Sequence, residues 1–495
     1  FVGRNGLIQE SGLTSAELIT NGDFATDLSG WITSNTDATN TITWETNGAR
    51  IISTTNLIGI QQNNVLTIGK SYKLTCNVAI TTGSIGLDGA TSGSAIVMVE
   101  GFNEIYFTAA SDTFKIKRTT ANSNCLLDNV SVKEIQTDVP RIDFTDDPTG
   151  HLLLEPQSTN LVSYGEDFNN NYWQHNANIT TTNSLELAPN GKLDAQIVKY
   201  DGTGYSFIRT TFSPKPSTAV TLSVFAKKGN WRYLGFRTFQ MQGFSHTTFD
   251  FDTETFVNIN GTQTASFETF SNGWYRIKVN QPSPGEGNNL AGFALSNSSG
   301  GELNTTGGQV ANVHLFGAQL EESSYATSYI PTSGSAVTRN QEICNNSGTV
   351  NDFNSEEGVL YAEIAALVGP TTGNRHLTIS DGTNNNRLYF YYRSIGGFAF
   401  ASFVGGVLQA NITFGGTITN NSKVACVWKE NDYSLWVDGV EIGTDTSASV
   451  WSSGTLNTLN FAEPNGTVSP FYGKTKNIQV FNYVLTDEEL QTLTT

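Results

Sequence analysis

Leu127-Asp128-Asn129-Val130-Ser131-Val132-Lys133-Glu134 and Leu315-Phe316-Gly317-Ala318-Gln319-Leu320-Glu321-Glu322 read as two endings of one pattern, and they decide the fold. Each closes a segment that opens alike. The first opens on Asn21-Gly22-Asp23-Phe24 with Trp31 following; the second opens on Gly165-Glu166-Asp167-Phe168 with Trp173 following. A shared opening and ending mark an internal repeat. Two copies of one β-sandwich are therefore expected, the second longer and richer in loop.

The rest of the chain reads the same way. Runs alternating with the period of a half-buried strand recur between turn residues, as in Ser71–Val78, Trp274–Val279 and Tyr433–Val437. Turn signals every ten residues or so are the spacing of sandwiches. From about Glu357 a third segment begins with Gly358-Val359-Leu360-Tyr361-Ala362-Glu363-Ile364. It includes the hairpin Trp436-Val437-Asp438-Gly439-Val440-Glu441-Ile442, where Asp438-Gly439 is a type I′ turn signal. A helix is expected only near the end, where Thr486 caps the acidic turn Asp487-Glu488-Glu489-Leu490.

Composition agrees. A chain of 495 residues is too long for one core. Only 15% of residues are charged, while Gly reaches 48, so turn and strand formers replace charged helix formers. The net charge of −18 argues against nucleic acid, whose phosphates need a basic footprint. It equally disfavours adhesion to anionic lipid. No run approaches the ~18 apolar residues of a membrane-spanning helix. Cys76, Cys125, Cys344 and Cys426 form no Cys-x-x-Cys pair, and Cys76 and Cys125 read as buried thiols of one module rather than as a disulfide framework. The start, Phe1-Val2-Gly3-Arg4, lacks Met and a signal-peptide core, and reads as lying downstream of a missing segment.

The first copy's opening and ending resemble the jelly-roll carbohydrate-binding modules attached to polysaccharide-degrading enzymes and to phage tail proteins. Phe316-Gly317-Ala318-Gln319-Leu320-Glu321 with Tyr325-Ala326-Thr327-Ser328-Tyr329-Ile330-Pro331-Thr332 resembles bacteriophage tail and fibre proteins. So does Pro140-Arg141-Ile142-Asp143-Phe144 with Leu152-Leu153-Leu154-Glu155-Pro156-Gln157-Ser158-Thr159-Asn160. The third segment resembles the laminin-G or concanavalin-A-like lectin fold. The resemblance implies an all-β chain of three tandem β-sandwiches with a short C-terminal helix. The expected divisions are a small framework of residues 1–14 plus 136–160, an inserted jelly roll at 15–135, a larger one at 161–340, and a lectin-like sandwich at 341–495. In phage relatives the initial stretch runs almost directly into the Pro-Arg-Ile-Asp strand. Residues 1–14 are therefore expected beside residues 138–160.

Catalytic constellations are sparse. Asp250, Asp252 and Glu254 alternate, as in laminarinase-type glycosidases, where strand carboxylates face one way. The flanking pattern of those enzymes is absent, and a solvated strand and turn is the expected reading. His151, His175, His246, His314 and His376 sit in no nucleophile frame. The chain is expected to be non-enzymatic.

Jelly-roll carbohydrate-binding modules often hold one Ca²⁺ between the opening segment and the last strand. The resemblance assigns that structural ion to Asn21, Asp23 and Asp128. Gly317 is read as taking the place of Asp128 in the second copy, with Glu166 and Asp167 able to contribute. Sugar recognition stacks an aromatic face on a pyranose and reads its hydroxyls with amides and acids. Candidate platforms are Trp231, Tyr233, Tyr205 and Trp44, with Trp231 and Tyr233 expected on one strand face. Tyr389, Tyr391 and Trp451 are weaker candidates, and Trp31 and Trp173 are expected in cores.

The resemblance implies a virion structural or receptor-binding protein, a fibre or spike outside the cell. Its partners would be host surface polysaccharide and other virion proteins, and it would form a homotrimer without membrane insertion. The alternatives are the carbohydrate-binding region of a secreted polysaccharide-degrading enzyme, and a ligand-free capsid or tail decoration.

Overall fold

The computed structural model describes all residues except 1, 9–12, 47, 91–94, 137–139, 146, 177, 203, 213–217, 239–245, 284–288, 299–300, 302–303, 306–309 and 368–372. The chain forms two compact units. One holds Asn5–Thr137 and Gln157–Asn340; the other holds Phe1–Arg4, Asp138–Pro156 and Gln341–Thr495.

The first unit contains both jelly rolls. In the first, the strands Thr41–Glu45, Gly48–Ser53, Ser123–Gln136, Ser71–Thr82 and Gly101–Thr108 lie side by side in that order. They face a five-stranded sheet made by Ile32–Ser34, Gly59–Gln62, Phe114–Arg118, Ile85–Asp88 and Ile96–Val97. Period-2 alternation sends Tyr72, Leu74, Cys76 and Val78 inward to one core with Phe107, Phe114 and Leu127. Cys76 and Cys125 are buried free thiols. The second jelly roll pairs two six-stranded sheets over a core containing Phe168, Val224, Phe236 and Phe293.

The repeat is visible bond by bond. Phe24 and Trp31 stack with centroids 5.2 Å apart; Phe168 and Trp173 repeat this at 5.2 Å. Trp31 Nε1 donates to Asn21 O at 2.9 Å, and Trp173 Nε1 donates to Tyr164 O at 2.9 Å. Val130 N donates to Gly22 O and Ala318 N donates to Gly165 O, both at 2.8 Å. The residue before each of these donors is left-handed, Asn129 at φ 51° and Gly317 at φ 62°. Gly317 thus answers to Asn129, and Phe316 answers to Asp128. This corrects the expected match of Gly317 to Asp128, because the bulged strand end aligns the copies by backbone bonds.

The second unit is the third sandwich. Its larger sheet runs Arg141–Asp143, His151–Leu154, Gly473–Phe481, Glu357–Ala366, Ser422–Lys429, Tyr433–Val437 and Val440–Asp445. Val407–Phe414, Phe398–Val404, Arg387–Tyr392, Arg375–Ser380 and Thr458–Asn460 form the opposing sheet. One face of Glu357–Ala366 sends Leu360, Ala362 and Ile364 into the core, while Val359 packs with Leu485 and Leu490 beside the C-terminal helix Asp487–Thr494. Thr486 closes a capping box with Glu489.

The small framework expected at 1–14 plus 136–160 is divided between the units. Val2 O accepts from Phe144 N at 3.0 Å, and the strands 141–143 and 151–154 extend the third sandwich's sheet. Leu13–Thr14 instead pairs with the last strand of the first jelly roll, and Ser158–Asn160 pairs with Val337–Arg339. Two- to four-residue strands cannot bury a core of their own, so they complete existing sheets. Arg141 anchors its stretch through buried ion pairs to Glu155 and Glu342.

Candidate functional site

Gly101–Thr108 is an edge strand of the first jelly roll. Its alternation buries Asn103, Ile105 and Phe107 and sets Phe102, Glu104 and Tyr106 in a row on the other face. Parts of the second jelly roll meet this row: the opening turn Glu166-Asp167, the segment from Tyr329 to Ser333, and the tight turn from Ala188 to Lys192. That turn closes by Ala188 N donating to Lys192 O at 2.8 Å, with Gly191 at φ 80°. The two modules are joined by Tyr106 and Ile135 packing with Ile330 and Val337, and by Ser71 Oγ donating to Thr338 O at 2.6 Å.

Between them lies a cleft of about 570 Å³, within the ~300–1,000 Å³ typical of small-ligand sites. Phe102, at its lining, keeps 63% of its surface exposed, and Leu193 keeps 58%. A narrower pocket of about 80 Å³ is floored by Phe316, Tyr329 and Pro331.

The polar lining is charged and specific. Tyr106 Oη donates to Glu104 Oε1 at 3.1 Å, Lys73 Nζ lies 3.1 Å from Oε2, and Lys192 Nζ lies 3.7 Å from Oε1. Burial works to raise the Glu104 carboxyl, but the two lysines outweigh it and hold it below the usual range. Glu166 goes the other way. Burial, aided by the negative charges of Asp194 and Glu104, pushes it up to about 7, although Tyr329 Oη donates to its Oε1 at 3.0 Å. Asp194 accepts from Asn190 Nδ2 at 2.9 Å. An exposed ring beside carboxylates and amides can stack on a sugar face and read its hydroxyls.

The residues expected from sequence fall elsewhere. Trp231 precedes the strand Tyr233–Thr238, packs against the second jelly roll's core and donates from Nε1 to Ser296 O at 2.7 Å. Tyr233 carries the Arg232 guanidinium 5.2 Å from its ring. Both are half-buried, and Trp231 stands before the strand that Tyr233 begins rather than on it. Tyr205 is half-buried in a two-residue strand against Asn304–Thr305. Trp44 is 41% exposed and donates from Nε1 to Phe24 O at 2.7 Å.

The expected calcium ligands are brought together in part. Burial raises the Asp128 carboxyl, and the nearby charge of Asp23 adds to this. Asn21 turns its amide nitrogen to Asp27 O and Ser29 O, both at 3.0 Å. The carbonyls Asn21 O and Gly22 O accept from Trp31 Nε1 and Val130 N. Among the described residues no three His, Cys, Asp or Glu side chains form a metal-holding group.

Asp250, Asp252 and Glu254 do not line one strand face. The strand ends at Asp250, which is held by Arg232 at 2.6 and 2.7 Å, and Glu254 turns left-handed at φ 53°. Lys228 pairs with Asp252 at 2.5 Å, and Tyr275 Oη donates to Glu254 at 3.0 Å.

Sequence reasoning did not single out the cleft residues Phe102, Glu104, Lys192 and Asp194. The alternation Phe102-Asn103-Glu104-Ile105-Tyr106 was available in the sequence, but which surface it would meet was not.

The chain is similar to known proteins as follows. No curated protein matches it. The CBM40 module of the Ruminococcus gnavus IT-sialidase bound to α2,3-sialyllactose is 18% identical over 31% of this chain and 95% of its own, with a TM-score of 0.27. The CBM22-1–CBM22-2 tandem of Paenibacillus barcinonensis Xyn10C is 10% identical, covering 64% of this chain and all (100%) of its own, with a TM-score of 0.22. Domains LG4-5 of the mouse laminin α1 chain are 8% identical over 57% and 86%, with a TM-score of 0.21. Residues 364–491, within the third sandwich, match the family model of the concanavalin A-like lectin/glucanases superfamily.

Proposed function

We propose that this chain binds carbohydrate, and that the cleft between its two jelly rolls is a principal site. One observation carries the reading: the exposed Phe102 ring shares a cavity of about 570 Å³ with Glu104, Asn183, Lys192 and Asp194. The lectin-superfamily match of residues 364–491 supports a second binding surface in the third sandwich. Weak sites on one chain, or on several copies, gain avidity through effective concentration. A virion fibre or spike that attaches to host surface polysaccharide uses that gain, and the fibre-like motifs around Phe316–Thr332 favour this setting. A polysaccharide-degrading enzyme would use the same surfaces to hold its substrate.

A glycan array, followed by NMR titration of the hits, tests binding. Phe102→Ala removes an exposed ring without touching a core, so it leaves the fold intact. It is expected to weaken the cleft ligand about tenfold, or ~1.4 kcal/mol. Unchanged affinity for every hit would remove the cleft from the reading. Electron microscopy of particles labelled with antibody against the chain distinguishes the virion setting from the enzyme one.

A further inference from the structure

We propose that the third sandwich carries an acid-operated latch: the segment 461–471 stays closed on the five-stranded sheet while His376 is neutral, and opens when His376 takes up a proton.

The segment is seated by a few bonds around the strand Arg375–Ser380. Phe471 N donates to Phe461 O at 2.8 Å and closes its base. His376 N donates to Ser469 O at 3.0 Å, and Thr378 Oγ1 donates to Ala462 O at 2.7 Å. Asn460 Nδ2 donates to Pro464 O at 2.9 Å, and Asn345 Nδ2 donates to Gly466 O at 2.8 Å. Ser469 is left-handed at φ 50°, a conformation that side chains rarely adopt, so the segment closes against backbone strain.

The residue that ties the sheet to Ser469 is badly placed to carry a charge. His376 is 5% exposed, and neither ring nitrogen has a hydrogen-bond partner among the described residues. Its ring lies flat on Tyr389, with centroids 4.8 Å apart and planes 7° apart, and the Tyr391 ring is 5.1 Å away. The Arg387 guanidinium lies 4.8 Å from the same Tyr389 ring. Of the charged groups around this stack, Arg387 acts on His376 itself and Arg393 acts on Tyr391. Glu463, within the segment, acts on Tyr389 and accepts from Ser469 Oγ at 2.9 Å. Arg375 acts instead on Tyr392 and Tyr472. No carboxylate pairs with His376 among the described residues.

A proton on the closed ring would therefore be buried without an acceptor. It would also bring a second cation to the ring that Arg387 already faces. Burial first, and Arg387 second, hold the imidazole down to about 4. Once the segment opens, the ring meets water and regains its ordinary value of about 6.5. The open form then takes the proton first. The closed form keeps its full advantage above about pH 6.5 and loses it as pH falls through to about 4.

Hydrogen exchange on the full chain, read by mass spectrometry and corrected for the chemical rate at each pH, tests this. Exchange of 461–471 and of the His376 amide is expected to rise about tenfold between pH 6.5 and pH 5, while the core strand Ser422–Lys429 holds steady. His376→Phe keeps a flat ring against Tyr389 and takes no proton. It is expected to abolish the rise and to leave stability at pH 7 equal or higher, because no hydrogen bond of the imidazole is lost. NMR titration of the wild-type chain is expected to place His376 well below the ordinary histidine range. Arg387→Gln, which serves if His376→Phe does not fold, is expected to raise that titration and shrink the acid response. A rise that survives His376→Phe overturns the proposal. So does a His376 that titrates at its ordinary value, or acid loosening spread evenly over the sandwich.

Discussion

The two jelly rolls share one backbone device and use it differently. In each, an opening glycine carbonyl receives the N–H that follows a left-handed residue in the last strand, and a Trp indole caps the carbonyl just before that glycine. In the first copy the side chains around this device are Asp23, Asp128 and Asn129. In the second they are Glu166 and Phe316, with Gly317 bare of any side chain and Tyr329 reaching in from the motif Tyr325–Thr332. The device holds the sandwich shut; the side chains around it are free to vary. The first copy leaves two acids near each other at the surface. The second turns one acid, one ring and one phenol into the floor of a cleft.

The comparison breaks most visibly at the glycines. A Cβ on Gly22 would lie 1.9 Å from Val130 O, and one on Gly165 would lie 2.6 Å from Ala318 O. Both obstacles are backbone, so neither can step aside. Gly22→Ala is expected to destabilise the first copy by several kcal/mol, in the ~3 kcal/mol-and-above class of single-residue effects, and more than Gly165→Ala destabilises the second. Chemical denaturation followed by Trp fluorescence measures both. Equal, small effects would mean that the opening carbonyl does not fix the frame.

A smaller effect separates the copies by pH. Glu166 has its folded pKa raised to about 7, above its unfolded carboxylate value, with Tyr329, Asp194, Glu104 and Lys192 facing it. The folded state therefore keeps a proton that the unfolded state gives up. That stability is complete below the unfolded pKa and is lost as pH rises through about 7. Melting temperature is expected to fall between pH 5 and 8, and Glu166→Gln is expected to flatten the fall. A fall that persists in the variant would assign it to another group.

The smallest effect belongs to the first copy. Asp23 and Asp128 sit close enough for one to raise the other. Added Ca²⁺ tests the ion expected at Asn21, Asp23 and Asp128: a rise in melting temperature that Asp128→Asn abolishes would place calcium there, and an unchanged melting temperature would count against it.

Much of this molecule is legible in its sequence. The repeated opening and ending, period-2 runs such as Ser71–Val78, and the Asp438-Gly439 turn suffice for the three sandwiches and the short capped helix. Local chemistry dictates these features, because alternation decides which side chains face a core and turn residues decide where a strand stops. The same local logic is enough to place Trp31 and Trp173 inside. It is not enough for Trp231, whose indole packs against the second jelly roll's core and donates to Ser296 O, 65 positions along the chain. Nor can it divide residues 1–14 between two units. The cleft lies furthest from sequence, since it draws on Phe102 and Glu104 of one module and Glu166, Lys192 and Asp194 of another. Sequence by itself determined the strands, their inward faces and the repeat, because these follow from neighbouring residues. Only tertiary structure decided which outward faces meet, because that depends on packing between surfaces whose residues stand 60 or more positions apart.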